Sequence, residues 1–228
     1  MPLARAARDV MSDTPELPAD TEAATAPDTA PAASVRRRPK PGERRVQILQ
    51  TLAGMLEQPG AERITTAALA AKLDVSEAAL YRHFASKAQM FEGLIEFIES
   101  SVFALVRQIA ERDESGALQA QRIALMVLQF GEKNPGMTRV MVGDALVFEH
   151  ERLTARMNQF FDRVESQLRQ CLRPAVEAGG SSMPTVEANA MASAITALVV
   201  GRLQRYARSG FRRLPTEGIE APLQRLAA

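Results

Sequence analysis

The chain has 228 residues, 46% of them hydrophobic and 24% charged, which is enough apolar side chain for one large or two small domains with a sizeable core. A single cysteine, Cys171, excludes an internal disulfide and any cysteine-rich metal site. The net charge is only +1, so whatever partner the chain has must be recognised through where the charge sits.

Residues 1–41 hold seven of the thirteen prolines, and no aromatic residue precedes Tyr81. Such a composition cannot bury enough apolar surface to order itself, and a disordered tail is expected over 1–41. It ends in a basic run, Arg36, Arg37, Arg38 and Lys40, continued by Arg44 and Arg45. That run fits an arm along the DNA backbone or minor groove, and fits a solvated linker equally well. Residues 36–87 carry ten Lys/Arg against five acids, whereas residues 88–228 balance at sixteen against sixteen. The positive charge therefore lies on and just before 42–88, and the rest of the chain is not suited to coating DNA without specificity.

From Gly42 to Gln58, Val46, Ile48, Leu49, Leu52, Met55 and Leu56 recur at helical spacing, and Pro59-Gly60 ends the helix. The stretch ITTAALAAKLDVSEAALYRHFASK, residues 64–87, organises everything around it. Thr65 and Thr66 suit a helix N-cap, and the alanines after them favour helix. Leu73-Asp74-Val75 breaks the run. Ser76 caps a second helix, Glu77 complements its dipole, and Ala78 to Phe84 fill it. Two short capped helices around a tight turn make a helix-turn-helix, whose second helix enters the DNA major groove. Spacing alone leaves open an ordinary helical corner in an all-α core.

Several residues here stand in register with a family pattern: Thr66, Leu69-Ala70, Val75-Ser76, Leu80-Tyr81, His83-Phe84 and Lys87. On them the chain resembles the TetR-type regulators. One departure is Asp74, where the family carries Gly; Asp tolerates the left-handed conformation the turn needs. The resemblance implies an all-α fold, with a three-helix DNA-binding domain over 42–88 and a helical dimerisation domain over 89–228. It also implies roles. Arg63, Thr65 and Thr66 would hold phosphates, and Ser76, Glu77, Ala78 and Ala79 would face bases. Tyr81, Arg82, His83 and Lys87 would fix the frame on the backbone, while Leu80 and Phe84 anchor the helix.

Ser86 is expected to cap a long helix to about Arg112, with Phe91, Leu94, Ile95, Ile98, Val102, Leu105, Val106 and Ile109 as its buried stripe. Phe97 lies beside that stripe. Asp113 to Gly116 reads as a turn. Ala117 to Lys133 is apolar on most sides, through Ile123, Leu125, Met126, Val127, Leu128 and Phe130, and should be central. Asn134-Pro135-Gly136 ends it, and a short helix covers Met137 to Val142. After Gly143-Asp144 a long helix runs to about Val176, with Cys171 on its apolar stripe as a small buried hydrophobe. His150 is expected at the surface. Thr185 to Ser209 forms the last long helix, and a short one closes the chain from Gly218 to Leu226. The small residues Ala188, Ala190, Ala192, Ser193, Ala194, Ala197 and Gly201 allow a close helix contact, either internal or across a dimer; the family resemblance favours a homodimer.

MPLARAARDV lacks a signal-peptide pattern, and Ala188 to Gly201 is short for a membrane span, so a soluble cytoplasmic protein without a membrane partner is expected. Only two histidines occur, no Gly-rich phosphate loop or HExxH is present, and no serine sits in a nucleophile elbow. No catalytic residue, metal or cofactor is expected. The segments LIEFIE and FGEKNPGMTR further resemble one branch of the family, the nucleoid occlusion factors. That implies palindromic DNA and the division GTPase FtsZ as partners, with Phe97, Met126, Phe130, Lys133 and Asn134 presenting the FtsZ surface. The alternative is a ligand-responsive repressor with a cavity in its C-terminal helices. The dense apolar packing expected of the central helix weighs against a polar pocket, and no small-molecule ligand is expected.

Overall fold

Nine α-helices and one 3₁₀ turn make up the described residues of the computed structural model, which are 42–58, 64–112 and 114–228. The expected tail, Arg63, Pro59-Gly60 and Asp113 lie outside them. The helices are α1 (Glu43–Leu56), α2 (Thr66–Lys72), α3 (Glu77–Tyr81), α4 (Lys87–Ala110), α5 (Gly116–Lys133), α6 (Pro135–Met141), α7 (Glu151–Ala178), α8 (Pro184–Arg208) and α9 (Glu220–Leu226). The 3₁₀ turn, Asp144–Leu146, stands between α6 and α7.

Hydroxyl side chains cap four of these helices. Thr65, Ser76, Ser86 and Ser115 accept from the backbone amides of Ala68, Ala79, Gln89 and Leu118 respectively. Each satisfies one amide that the first turn leaves without a partner. His150 is exposed, as expected, and caps α7 through its ring nitrogen, which accepts from the Arg152 amide.

The core of the larger part is the packing of α7 on α8, with α5 laid against both and α4 against α5 and α7. Ile98, Ile123, Val127, Leu128, Leu153, Phe160, Leu168 and Leu203 are fully buried in it. Among the described residues Thr138 and Thr196 are the buried polar ones, and the Thr138 hydroxyl donates to the Gly131 carbonyl at 2.8 Å. Within α8, Ala188, Ala192, Ile195 and Val199 face inward, while Ala190, Ser193, Ala194 and Ala197 stay exposed. The small-residue run thus serves an internal contact on one side and leaves the other side open.

Gly93 of α4 lies against Leu49 and Phe84. Several expectations are corrected. Leu105 is not part of the buried stripe but 40% exposed, and Phe103 is buried instead, because α4 rotates its apolar face toward α7. α5 buries one side only, so Leu125, Met126 and Phe130 are half-exposed. Pro135 and Gly136 do not merely end α5; Pro135 opens α6, where its missing N–H costs nothing. The long helix does not start at the Gly143-Asp144 break, since the 3₁₀ turn intervenes. Cys171 is half-buried, and burial raises its thiol pKa. At 25 residues, α8 is long and apolar enough to cross a membrane by length and composition, because flanking turns extend the uncharged Ala188–Gly201 stretch. Its inner face is occupied by α7.

Candidate nucleic-acid interface

α2 and α3 are joined by a turn that the local sequence builds. The amide of Asp74 bonds the Ala71 carbonyl at 3.2 Å, and that of Val75 bonds the Ala70 carbonyl at 3.1 Å. This is the helix-ending pattern that needs one left-handed residue, and Asp74 supplies it with φ 53°. Leu69, Ala70, Leu80 and Phe84 are buried and lock the two helices to the rest.

What remains outside is the face that could read DNA. Ser76, Glu77 and Ala78 are exposed at the start of α3, with Ala79 half-exposed. Tyr81 is 45% exposed, and Arg82 and His83 follow it into solvent. Thr65 is exposed at the α2 cap, and Thr66 is half-exposed beside it. The Thr66 hydroxyl donates to a Glu77 carboxylate oxygen at 2.6 Å, so the first turns of α2 and α3 are tied together.

The second helix is shorter than the sequence suggests. It ends at Tyr81, and Arg82 and His83 are a turn. The Leu80 carbonyl takes both the His83 amide at 2.9 Å and the Phe84 amide at 3.1 Å. The His83 carbonyl accepts from the Arg45 guanidinium at 2.9 Å instead of continuing the ladder. Arg45 also lies 4.1 Å over the Phe84 ring, a cation–π contact. Composition had grouped Arg45 with the basic arm; the fold makes it a strut beneath the reading helix.

Lys87 begins α4 and is ion-paired with Glu149, which precedes α7. Two more pairs continue along the same α4–α7 seam, Arg152 with Glu92 at 2.7 Å and Arg156 with Glu99 at 2.6 Å. Glu99, which hydrogen-bonds Arg156, raises the guanidinium's pKa above its ordinary value. No sequence motif marks these pairs, since their members lie about sixty residues apart.

The residues expected to face a protein partner divide between two packed helices. Phe97 is half-exposed on α4, and Met126 and Phe130 are half-exposed on α5. Lys133 is exposed at the end of α5, and the Asn134 side chain donates to the Phe130 carbonyl at 2.7 Å. Among the described residues no group of three or more His, Cys, Asp or Glu side chains could hold a metal ion.

This geometry is matched by known proteins. Residues 48–94 fit the model of "Bacterial regulatory proteins, tetR family", and residues 116–227 fit that of a "Tetracyclin repressor-like, C-terminal domain" of the SlmA type. The nucleoid occlusion factor SlmA of Photobacterium profundum is 50% identical over 191 residues, 83% of this chain and 96% of that one. The chain belongs to the SlmA family of nucleoid occlusion factors. The SlmA proteins of Vibrio vulnificus and Cronobacter sakazakii are likewise 50% identical, over 182 and 186 residues, covering 92% and 93% of their lengths. Among solved structures, a TetR-like transcriptional regulator from Rhodococcus superposes with TM-score 0.66 at 18% identity, covering 84% of this chain and 96% of that one. The TetR-family regulator PfmR of Thermus thermophilus gives 0.61 at 21%, covering 79% and 97%. At such identities these two establish the fold alone. As a member of the SlmA family the chain is a DNA-binding nucleoid occlusion factor and not an enzyme.

Proposed function

We propose that this SlmA-family chain acts as a homodimer on palindromic DNA and, while bound, antagonises FtsZ ring assembly over the chromosome, so that septum placement follows chromosome segregation. The identity of about 50% over nearly the full length of named nucleoid occlusion factors carries this reading. A two-fold dimer presents two identical reading helices, which is why its sites would be palindromic. In this reading Ser76, Glu77, Ala78 and Ala79 face base edges, while Arg63, Thr65, Thr66, Tyr81, Arg82, His83 and Lys87 serve the backbone. The open small-residue face of α8 supports pairing between protomers. The half-exposed edge of Phe97, Met126 and Phe130, ending at Lys133 and Asn134, offers FtsZ apolar contact with a polar, cationic rim. The protein would accordingly reside in the cytoplasm, on the nucleoid.

The test pairs Phe97→Ala and Lys133→Ala with two readouts, duplex binding by gel shift and FtsZ polymer sedimentation with the duplex present. Retained DNA binding with lost antagonism is the expected result. Loss of both together would refute a separate partner surface.

A further inference from the structure

We propose that Glu149 competes with the DNA backbone for Lys87 and thereby sets how tightly the chain holds DNA. The inference rests on the DNA reading above, in which Lys87 serves a phosphate.

Lys87 is the first residue of α4, six positions beyond the end of the reading helix. Its side chain is 26% exposed rather than buried, and the structure commits its ammonium to Glu149. The Glu149 side chain is only 10% exposed and cannot swing freely into water. A tight turn fixes it there. Gly143 adopts a left-handed φ of 85°, the Leu146 amide bonds the Gly143 carbonyl at 2.9 Å, and the Glu149 amide bonds the Leu146 carbonyl at 2.9 Å. Among the described residues, Lys87 is the cation within ion-pair distance of this carboxylate; the neighbouring Arg152 and Arg156 are committed to Glu92 and Glu99. The Phe91 ring, 5.7 Å from the Lys87 nitrogen, adds a cation–π contact and no competing charge.

A phosphate arriving at Lys87 therefore meets an ammonium already shared with a held carboxylate. Two anions at one cation repel each other, and the repulsion is weakly screened where the carboxylate is buried. Removing the negative charge while keeping the shape should strengthen backbone contact. Because phosphates carry no sequence information, the gain should be the same on any duplex.

The experiment is a fluorescence-anisotropy titration of the full chain with two duplexes: one that the wild-type chain selects from a randomised pool, and one of scrambled sequence and equal length. Glu149→Gln is expected to bind both about two- to fivefold tighter, the range a partly exposed ion pair carries. Glu92→Gln makes the same change in net charge at a pair that does not touch Lys87, and should leave affinity unchanged. In a Lys87→Ala background the gain from Glu149→Gln should vanish. Should Glu149→Gln fail to melt cooperatively, Glu149→Met, of similar length and uncharged, takes its place.

Equal or weaker binding by a well-folded Glu149 variant would overturn the proposal, since the carboxylate would then be positioning Lys87 or idle. An equal gain from Glu92→Gln would overturn it too, as a general charge effect. Failure of the wild-type chain to select any duplex would refute the DNA reading and this proposal together, a result distinct from the other two.

Discussion

Gly136→Ala tests how the reading unit is held to the rest of the protein. Gly136 lies in the first turn of α6 with an ordinary helical backbone, so an alanine faces no conformational penalty there. Space is the obstacle. An added Cβ would sit 2.0 Å from the Ala53 carbonyl oxygen and 3.0 Å from its carbon, both backbone atoms of α1. Normal contact needs about 3.5 Å, so α6 and α1 must separate by more than an ångström. Overpacking against atoms that cannot rotate away costs about 1–3 kcal/mol or more. The better helix propensity of alanine returns about 0.5–1 kcal/mol. The net loss of about 1–2 kcal/mol corresponds to a fall in Tm of roughly 2–8 °C for a protein this size. Thermal unfolding followed by circular dichroism reads it directly. An unchanged or raised Tm would show that α6 does not approach α1 this closely, and would refute the reasoning.

Phe84→Ala removes a ring that is 1% exposed, packed near Gly93 and under Arg45, and should cost about 3–5 kcal/mol; denaturant unfolding measures the loss, and DNA binding should fail with it. Thr66→Ala breaks the bond to Glu77 and, on the proposed reading, removes a phosphate contact, so gel shifts should show weaker binding to matched and scrambled duplexes alike. Ala78→Ser, at the exposed start of α3, should instead change the ratio between the two duplexes, and an unchanged ratio would remove Ala78 from the base-reading set. Cys171, with its thiol pKa raised by burial, should react with iodoacetamide at neutral pH more slowly than a free thiol, and equal rates would contradict its half-buried place on α7.

The local signals in the sequence were sufficient to place nearly every helix. Caps such as Thr65, Ser76 and Ser86 act on amides three residues away, and the Asp74 turn closes within five. Both fall within the range that neighbouring residues dictate. Apolar spacing likewise marked most of the α4 stripe, and the family resemblance marked Leu80 and Phe84 as anchors, both of which are buried. Tertiary packing decided the rest. Arg45 reaches the His83 carbonyl from thirty-eight residues away, just past the end of the reading helix at Tyr81. Leu105 faces out and Phe103 in because α7 covers one side of α4, which periodicity alone locates only to within a fraction of a turn. The closeness of Gly136 to Ala53 and the pairing of Lys87 with Glu149 have no signature along the chain. Each joins residues distant in sequence whose meeting depends on how whole helices settle against one another, and a spacing rule describes only one helix at a time.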